Sequence, residues 1–402
     1  MKISWNACAL ALLTLSGAAY ADSPAERIAS RSFPSIFEAW NGAENLFENG
    51  TETPLDKTEG VNATLARHDF AFLTFNGLGL RPATPREALA TRFDEKSLEN
   101  ARRRRERILS LNPHFVLLAS IPYRNVPGDQ LPEDSPLWLR DRAGARVPAS
   151  FAAGGKQFFL DYAKPATQAA LAAHCKALID TGVFDGCMFD NWNEHLPEDP
   201  VDPQGEVRAK LAAKMRAVIG DEALLVGNTN DRRPEKTARY LNGMYMEGFG
   251  APYFLDWRKA ALDMAWGAAH LRKPAFTLLE GWPTDAEGRG ELSRMREVTT
   301  LSLTLSDGYA LYADRNQHKV DHAHDWYPFW RATLGAAKEP PRRADGAGPI
   351  RREFEHGTAV FNPPEGAPAE LKFNEERVSA ATGQHGRAFT VAPADGDLFL
   401  RP

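Results

Sequence analysis

Phe184-Asp185-Gly186-Cys187-Met188-Phe189-Asp190-Asn191-Trp192 is the stretch on which the fold turns. As an extended segment it alternates, placing Met188 and Asp190 on one side and Cys187 and Phe189 on the other. A short apolar run closed by an acid, an amide and an indole reads as a buried parallel strand whose C-terminal end opens on a polar site. Asp190 could instead cap a following helix, but the next segment with a helical period begins only near Gln204.

Seven further runs of the same kind flank this one: 35–40, 70–75, 115–121, 223–227, 243–246, 275–279 and 308–312. They alternate with amphipathic segments. Val207, Leu211, Met215 and Val218 recur at helical spacing before Gly220, as do Leu292, Met295, Val298, Leu301 and Leu305 before Asp307-Gly308. Eight strand–helix repeats predict an α/β fold, a (β/α)8 barrel, with a short extended piece at 158–162 inserted after the third strand. A small C-terminal antiparallel β-sandwich is expected beyond it, from short runs at 352–354, 358–361, 369–373, 387–391 and 397–400 separated by turn residues. The expected organisation is a leader over 1–21, the barrel over 22–337, a linker over 338–348 and the β-domain over 349–402.

In such a barrel the residues that follow each apolar run gather at one mouth. Here they are Glu38 and Trp40 after strand one, Asn76 after strand two, Tyr123 and Arg124 after strand three, and Asp161 after the inserted piece. Asp190, Asn191 and Trp192 follow strand four, Asn228 and Asn230 strand five, Glu247 strand six, Glu280 and Trp282 strand seven, and Tyr312 and Asp314 close strand eight. Carboxylates, amides and indoles converging on one mouth suit the cleavage of a sugar. Two carboxyls share the acid and nucleophile or base roles, amides meet hydroxyls, and flat rings meet sugar faces.

The strand-four stretch resembles the fourth-strand motif of hypothetical glycosyl hydrolase families with barrel folds, related to the polygalactosaminidases and α-galactosidases. Supporting segments are Gly227-Asn228-Thr229-Asn230, Tyr245-Met246-Glu247-Gly248-Phe249, the region around Asp307-Gly308-Tyr309, and Arg352-Glu353-Phe354-Glu355-His356-Gly357. The resemblance covers most of residues 35–402. It implies a glycoside hydrolase with an aspartate nucleophile after strand four and an acid after strand six, here Asp190 and Glu247. A rival assignment takes Glu194 as acid and Glu280 as nucleophile, resembling barrel enzymes with an Asn-Glu pair after strand four. A non-catalytic glycan-binding barrel is the other alternative. The carboxyls Asp161, Glu280 and Asp314 are expected to raise the pKa of Glu247.

Other features bound the function from outside. His318, His322 and His324 form a His-x3-His-x-His array whose spacing matches no established ligand geometry with an acid, so no metal or other cofactor is expected. The chain carries 48 Lys and Arg against 53 Asp and Glu, a net charge of −5, which excludes general nucleic-acid binding. Arg102 to Arg105, the one cationic run, falls on a predicted helix over 94–111 as its solvated outer face. Lys2, the apolar run from Ala7 to Leu15 and Ala19-Tyr20-Ala21 read as a cleavable export signal ending before Asp22, too short to span a membrane. Of three cysteines, Cys8 lies in this leader, while Cys175 and Cys187 either form one bridge or stay as two buried thiols. The expected partner is a poly- or oligosaccharide, met in the periplasm or outside the cell, with no nucleic acid and no membrane once the leader is removed.

Overall fold

The computed structural model describes residues 23–40, 47–48, 51–52, 57–149, 156–250, 256–283, 292–314, 322–342 and 348–402. The leader and His318 lie outside them.

Eight parallel strands run in sequential order around one sheet. They are β1 (Phe37–Ala39), β2 (Phe70–Thr74), β3 (Val116–Ile121), β4 (Gly186–Phe189), β5 (Leu224–Asn228), β6 (Gly243–Phe249), β7 (Phe276–Gly281) and β8 (Tyr309–Tyr312). Each strand pairs in parallel with its neighbour in the chain. A bridge between Ile36 and Ala310, with the Ala310 N–H donating to the Ser35 carbonyl, brings the last strand back to the first and closes a TIM barrel. The inserted piece forms a strand at Gln157–Phe159 that pairs antiparallel with Asn125–Pro127.

Among the described residues there are seven α-helices: α1 (Pro24–Ser30), α2 (Lys57–Leu65), α3 (Glu95–Leu111), α4 (Pro165–Asp180), α5 (Glu206–Ile219), α6 (Trp257–His270) and α7 (Leu292–Leu305). The crossover from β5 to β6 uses only a single 3-10 turn, Ala238–Tyr240. Arg102 and Arg105 of the cationic run turn inward. Arg105 is buried and pairs with Asp185, while Arg102 donates to the Thr181 carbonyl, so the run is partly a strut between α3 and the β4 end of the barrel.

The barrel interior is aromatic at its floor. Phe70, Phe276 and Tyr309 pack there, with Phe37, Phe72 and Tyr245 as a second group. These rings fill the axis, so the polar residues one or two steps further along the strands are lifted to the mouth. On the outer face of β4, Cys187 is bonded to Cys175 of α4, with a Cα separation of 6.2 Å.

The C-terminal strands are β9 (Ile350–Phe354), β10 (Gly357–Asn362), β11 (Ala369–Ser379), β12 (His385–Val391) and β13 (Asp395–Leu400). They make one five-stranded antiparallel sheet, ordered β9-β10-β13-β11-β12. Where two facing sheets were expected, one face of this sheet lies on α7 instead. On the other face the sheet carries its own small core of Val360, Leu371, Phe389, Val391 and Phe399. Residues 338–342 of the expected linker are tied down. The Lys338 N–H donates to the Glu353 carbonyl, and the Arg342 N–H to that of Thr304. No helix among the described residues is long and apolar enough to cross a membrane.

Candidate active site

Asp190 follows β4 and faces the barrel axis, as the alternation of that strand requires. Both its carboxylate oxygens are held: the Asn191 backbone N–H donates to Oδ1 at 2.8 Å, and the Asn191 side-chain amide to Oδ2 at 2.7 Å. Asn228, at the end of β5, completes the set. Its Nδ2 donates to Asp190 Oδ1 at 2.9 Å and to Glu247 Oε2 at 2.7 Å. One amide nitrogen thus spans both carboxylates, whose facing oxygens can be no farther apart than the sum of those lengths, about 5.6 Å. The Asn230 backbone N–H donates to Asn228 Oδ1 at 3.2 Å, which fixes the amide with its N–H groups toward the acids. Asn230 Nδ2 adds a second bond to Glu247 Oε2 at 3.2 Å.

Glu247 is pressed into this mouth by the length of β6, which carries Tyr245 and Glu247 on one face. Burial raises its pKa to about 7, with the Glu280 charge adding to the effect, His322 and the Asn228 bond opposing it, and Asp190 raising it slightly. Glu280, wholly buried at the end of β7, accepts from the Tyr245 hydroxyl at Oε2 and lies 2.9 Å from His322 Nδ1 at Oε1. The other nitrogen of His322 is 3.9 Å from Glu247 Oε1, and its ring lies against Trp40, centroids 4.8 Å apart. Donor atoms of Glu247, Glu280 and His322 lie within 4.8 Å of one another, near enough to share a cation or, with His322 bridging, a proton.

Strain marks the same place. The described non-glycine residues with left-handed backbone are Trp40, Arg86, Asn191, Asn230, His322 and Ala394; Trp40, Arg86 and Asn191 line the cavity beside Asp190, and Asn230 and His322 lie against Glu247. Such conformations cost of order 1–3 kcal/mol each and collect where side chains must be aimed.

A cavity of about 540 Å³ opens beside Asp190 from the side of the loops after β2 and β3. Trp40, Asn76, Tyr123, Asp190 and Asn191 line it, and its size is that of small-ligand sites, roughly 300–1,000 Å³. Trp40 donates its indole N–H to Ser120 Oγ at 3.0 Å, which sets the ring at the cavity edge.

Several residues expected at the mouth are elsewhere. Phe37 faces into the barrel, so Glu38, one residue on, faces out and is buried against His68 and His324. Tyr312 is outward for the same reason, three residues from inward Tyr309, and packs on Tyr327. Trp192 is completely buried, because the left-handed turn at Asn191 breaks the strand alternation. Its indole donates to Thr237 Oγ1 and its ring packs between Tyr123 and Phe189. Asp161 pairs with Lys164. Asp314 accepts from the Asp325 N–H and the Tyr327 hydroxyl, holding the segment after the barrel. Of the three acids expected to raise the pKa of Glu247, Glu280 is the one whose charge does so most. Tyr123 borders the cavity, but its hydroxyl donates to the Asn191 carbonyl and so steadies the loop that carries Asp190. Trp282 is half-buried, its backbone N–H on the Phe249 carbonyl. Glu194, acid of the rival pair, accepts from the Lys236 and Thr237 N–H groups and the Thr237 hydroxyl, anchoring the 3-10 turn rather than facing Glu280.

Tyr245 and His322 were missing from the expected site. Tyr245 was legible, since it stands two residues before Glu247 on one strand. His322 comes from a loop after β8, where no period exists to aim it.

A family described as hypothetical glycosyl hydrolase family 15 matches residues 123–358. No curated protein matches the chain. Among solved structures, a maltogenic α-amylase of Thermotoga neapolitana superposes with a TM-score of 0.55 at 11% identity, over 91% of this chain and 96% of that one. An α-amylase of Malbranchea cinnamomea gives 0.54 at 11%, over 94% and 98%. An isomalto-dextranase of Arthrobacter globiformis gives 0.52 at 10%, over 94% and 74%.

Proposed function

Because this chain belongs to hypothetical glycosyl hydrolase family 15, and so is a glycoside hydrolase, we propose that it cleaves a poly- or oligosaccharide with retention, using Asp190 as nucleophile and Glu247 as acid and base. The observation that carries this reading is the single Asn228 nitrogen donating to both carboxylates. A span of at most about 5.6 Å between facing oxygens suits retaining enzymes, whose carboxyls stand ~5–5.5 Å apart, better than inverting ones, at ~6.5–9.5 Å.

In the first step Glu247 gives its proton to the glycosidic oxygen as Asp190 attacks the anomeric carbon. The bond to the leaving group breaks and a glycosyl ester of Asp190 forms. Water then enters, Glu247 takes back a proton from it, and the ester is hydrolysed with Asp190 released. The elevated pKa of Glu247 supports the acid role, because a group with pKa about 7 holds its proton near neutrality and can also recover it. Asn191 and Asn230 are placed to meet sugar hydroxyls, and Trp40 to meet a ring face at the cavity edge.

Export is part of the same proposal. The leader-like first 21 residues support it, and so does the Cys175–Cys187 bridge, since disulfides persist in oxidising compartments.

The test is a panel of glycans with product masses, followed by proton NMR of the first anomer released. Retention is expected. A product of opposite configuration would replace the nucleophile role of Asp190 by that of a base acting on water.

A further inference from the structure

A second cluster lies outside the barrel wall and takes no part in the chemistry above. Glu38 projects from the outer face of β1, His68 follows α2, and His324 stands in the segment after β8. The three are at most 1% exposed. His68 Nε2 is 3.1 Å from His324 Nε2 and 3.5 Å from Glu38 Oε2, and His324 Nε2 is 3.8 Å from the same oxygen. The point equidistant from three atoms so spaced lies about 2.0 Å from each. That is the bond length zinc makes to imidazole nitrogen and carboxylate oxygen, roughly 2.0–2.2 Å.

We propose that Glu38, His68 and His324 bind a divalent transition-metal ion of the zinc class. Two features favour an ion over a hydrogen-bonded cluster. First, among the three groups only the two imidazole nitrogens, 3.1 Å apart, are within hydrogen-bond reach, while both carboxylate–imidazole distances exceed the ~2.7–3.2 Å of an N–H···O bond although all three groups converge. Second, His68 Nδ1 lies 3.2 Å from the Thr64 carbonyl, which can only accept, so the proton of a neutral His68 sits on Nδ1. Its Nε2 lone pair therefore faces the centre, in the arrangement by which a backbone carbonyl orients a metal-bound histidine. Two imidazoles and one carboxylate suit zinc, cobalt or nickel over calcium or magnesium. Trp326 packs on His68 and Trp330 on His324, closing the centre to solvent, so the ion is structural. The sequence could not reveal it, because 256 residues separate the two histidines. The ion pins the segment after β8 to β1 and to the end of α2. That segment also carries His322, two residues before His324, against Glu280.

The experiment uses the untagged full chain, saturated with Zn2+, desalted and analysed for metal by mass spectrometry. About one equivalent per chain is expected. Chelation should lower the melting temperature by several degrees with recovery on adding Zn2+, and Co2+ should give the visible d–d absorption of a protein-bound ion. Glu38→Gln and His324→Gln should each lose the bound equivalent. If the wild-type chain keeps less than about a tenth of an equivalent and its melting temperature responds to neither Zn2+ nor chelator, the cluster is a buried polar contact and the proposal is overturned. It is equally overturned if folded Glu38→Gln and His324→Gln keep the full equivalent. Neither result depends on the glycosidase reading.

Discussion

Glu247 holds its proton up to about pH 7 because it is buried beside Glu280, and two consequences separate its catalytic from its structural effect. In turnover, the wild-type rate should fall on the alkaline side with a midpoint near pH 7. Glu247→Gln should lose that limb together with about 10²–10⁴-fold in rate on unactivated glycosides, and much less on an activated aryl glycoside that needs little protonation. In stability the sign is opposite to that of a salt-bridged acid. The folded pKa lies above the ordinary 4.5, so the contribution is full below pH 4.5 and is lost as pH rises through about 7. Glu247→Gln should therefore melt higher than wild type at pH 8, with the gain gone by pH 4.5; an equal gain at both pH values would remove the titration argument. Asp190→Asn keeps shape and should fold normally while turnover falls on the order of 10³-fold or more, read with circular dichroism beside the rate. Asn228→Ala removes the N–H shared by both acids and should cost about 10²-fold in kcat. If Asn228→Ala turned over like wild type, the span it bridges would have no catalytic meaning.

At the level of elements, β4 and α4 are joined by the Cys175–Cys187 bridge, which closes a short loop of 12 residues in sequence. Loop-closure entropy for a loop of that size amounts to about 3 kcal/mol, so reduction or Cys187→Ser should lower the melting temperature measurably. Alkylation of both thiols in the unreduced protein would remove the bridge itself. The element pattern was largely legible beforehand, because a buried parallel strand must be apolar and bounded, and all eight runs satisfied this. What the runs could not supply was parity. Reading the residue after a strand does not say whether it faces in or out, which is why Glu38 and Tyr312 were placed at the mouth and Tyr245 was not. Asp190 was placed well because Met188 and Cys187 gave its strand an unambiguous inner and outer side. Trp192 failed one turn later, where Asn191 enters the left-handed region and the alternation ends. The shared role of Asn228 lay beyond any local pattern, since it depends on three adjacent strands ending level.

For the whole molecule the decisive element is α7, buried on two sides. Met295, Val298 and Leu301 belong to the main core, while Thr300 and Thr304 turn back onto their own helix, their hydroxyls on the Arg296 and Thr300 carbonyls. That lets the C-terminal sheet approach closely: a Cβ at Gly396 would overlap the Thr300 side chain. Gly396→Val should consequently destabilise the chain by about 1–3 kcal/mol, the usual cost of overpacking, and this can be read from denaturant midpoints. Arg352 reinforces the seam, donating from β9 to the Leu303 and Ser306 carbonyls at the end of α7. A helix that is core to both neighbours leaves no cleavage plane between them. Calorimetry should accordingly record one cooperative endotherm, and a nick in the chain near residue 345 should leave the two pieces holding together as a noncovalent pair.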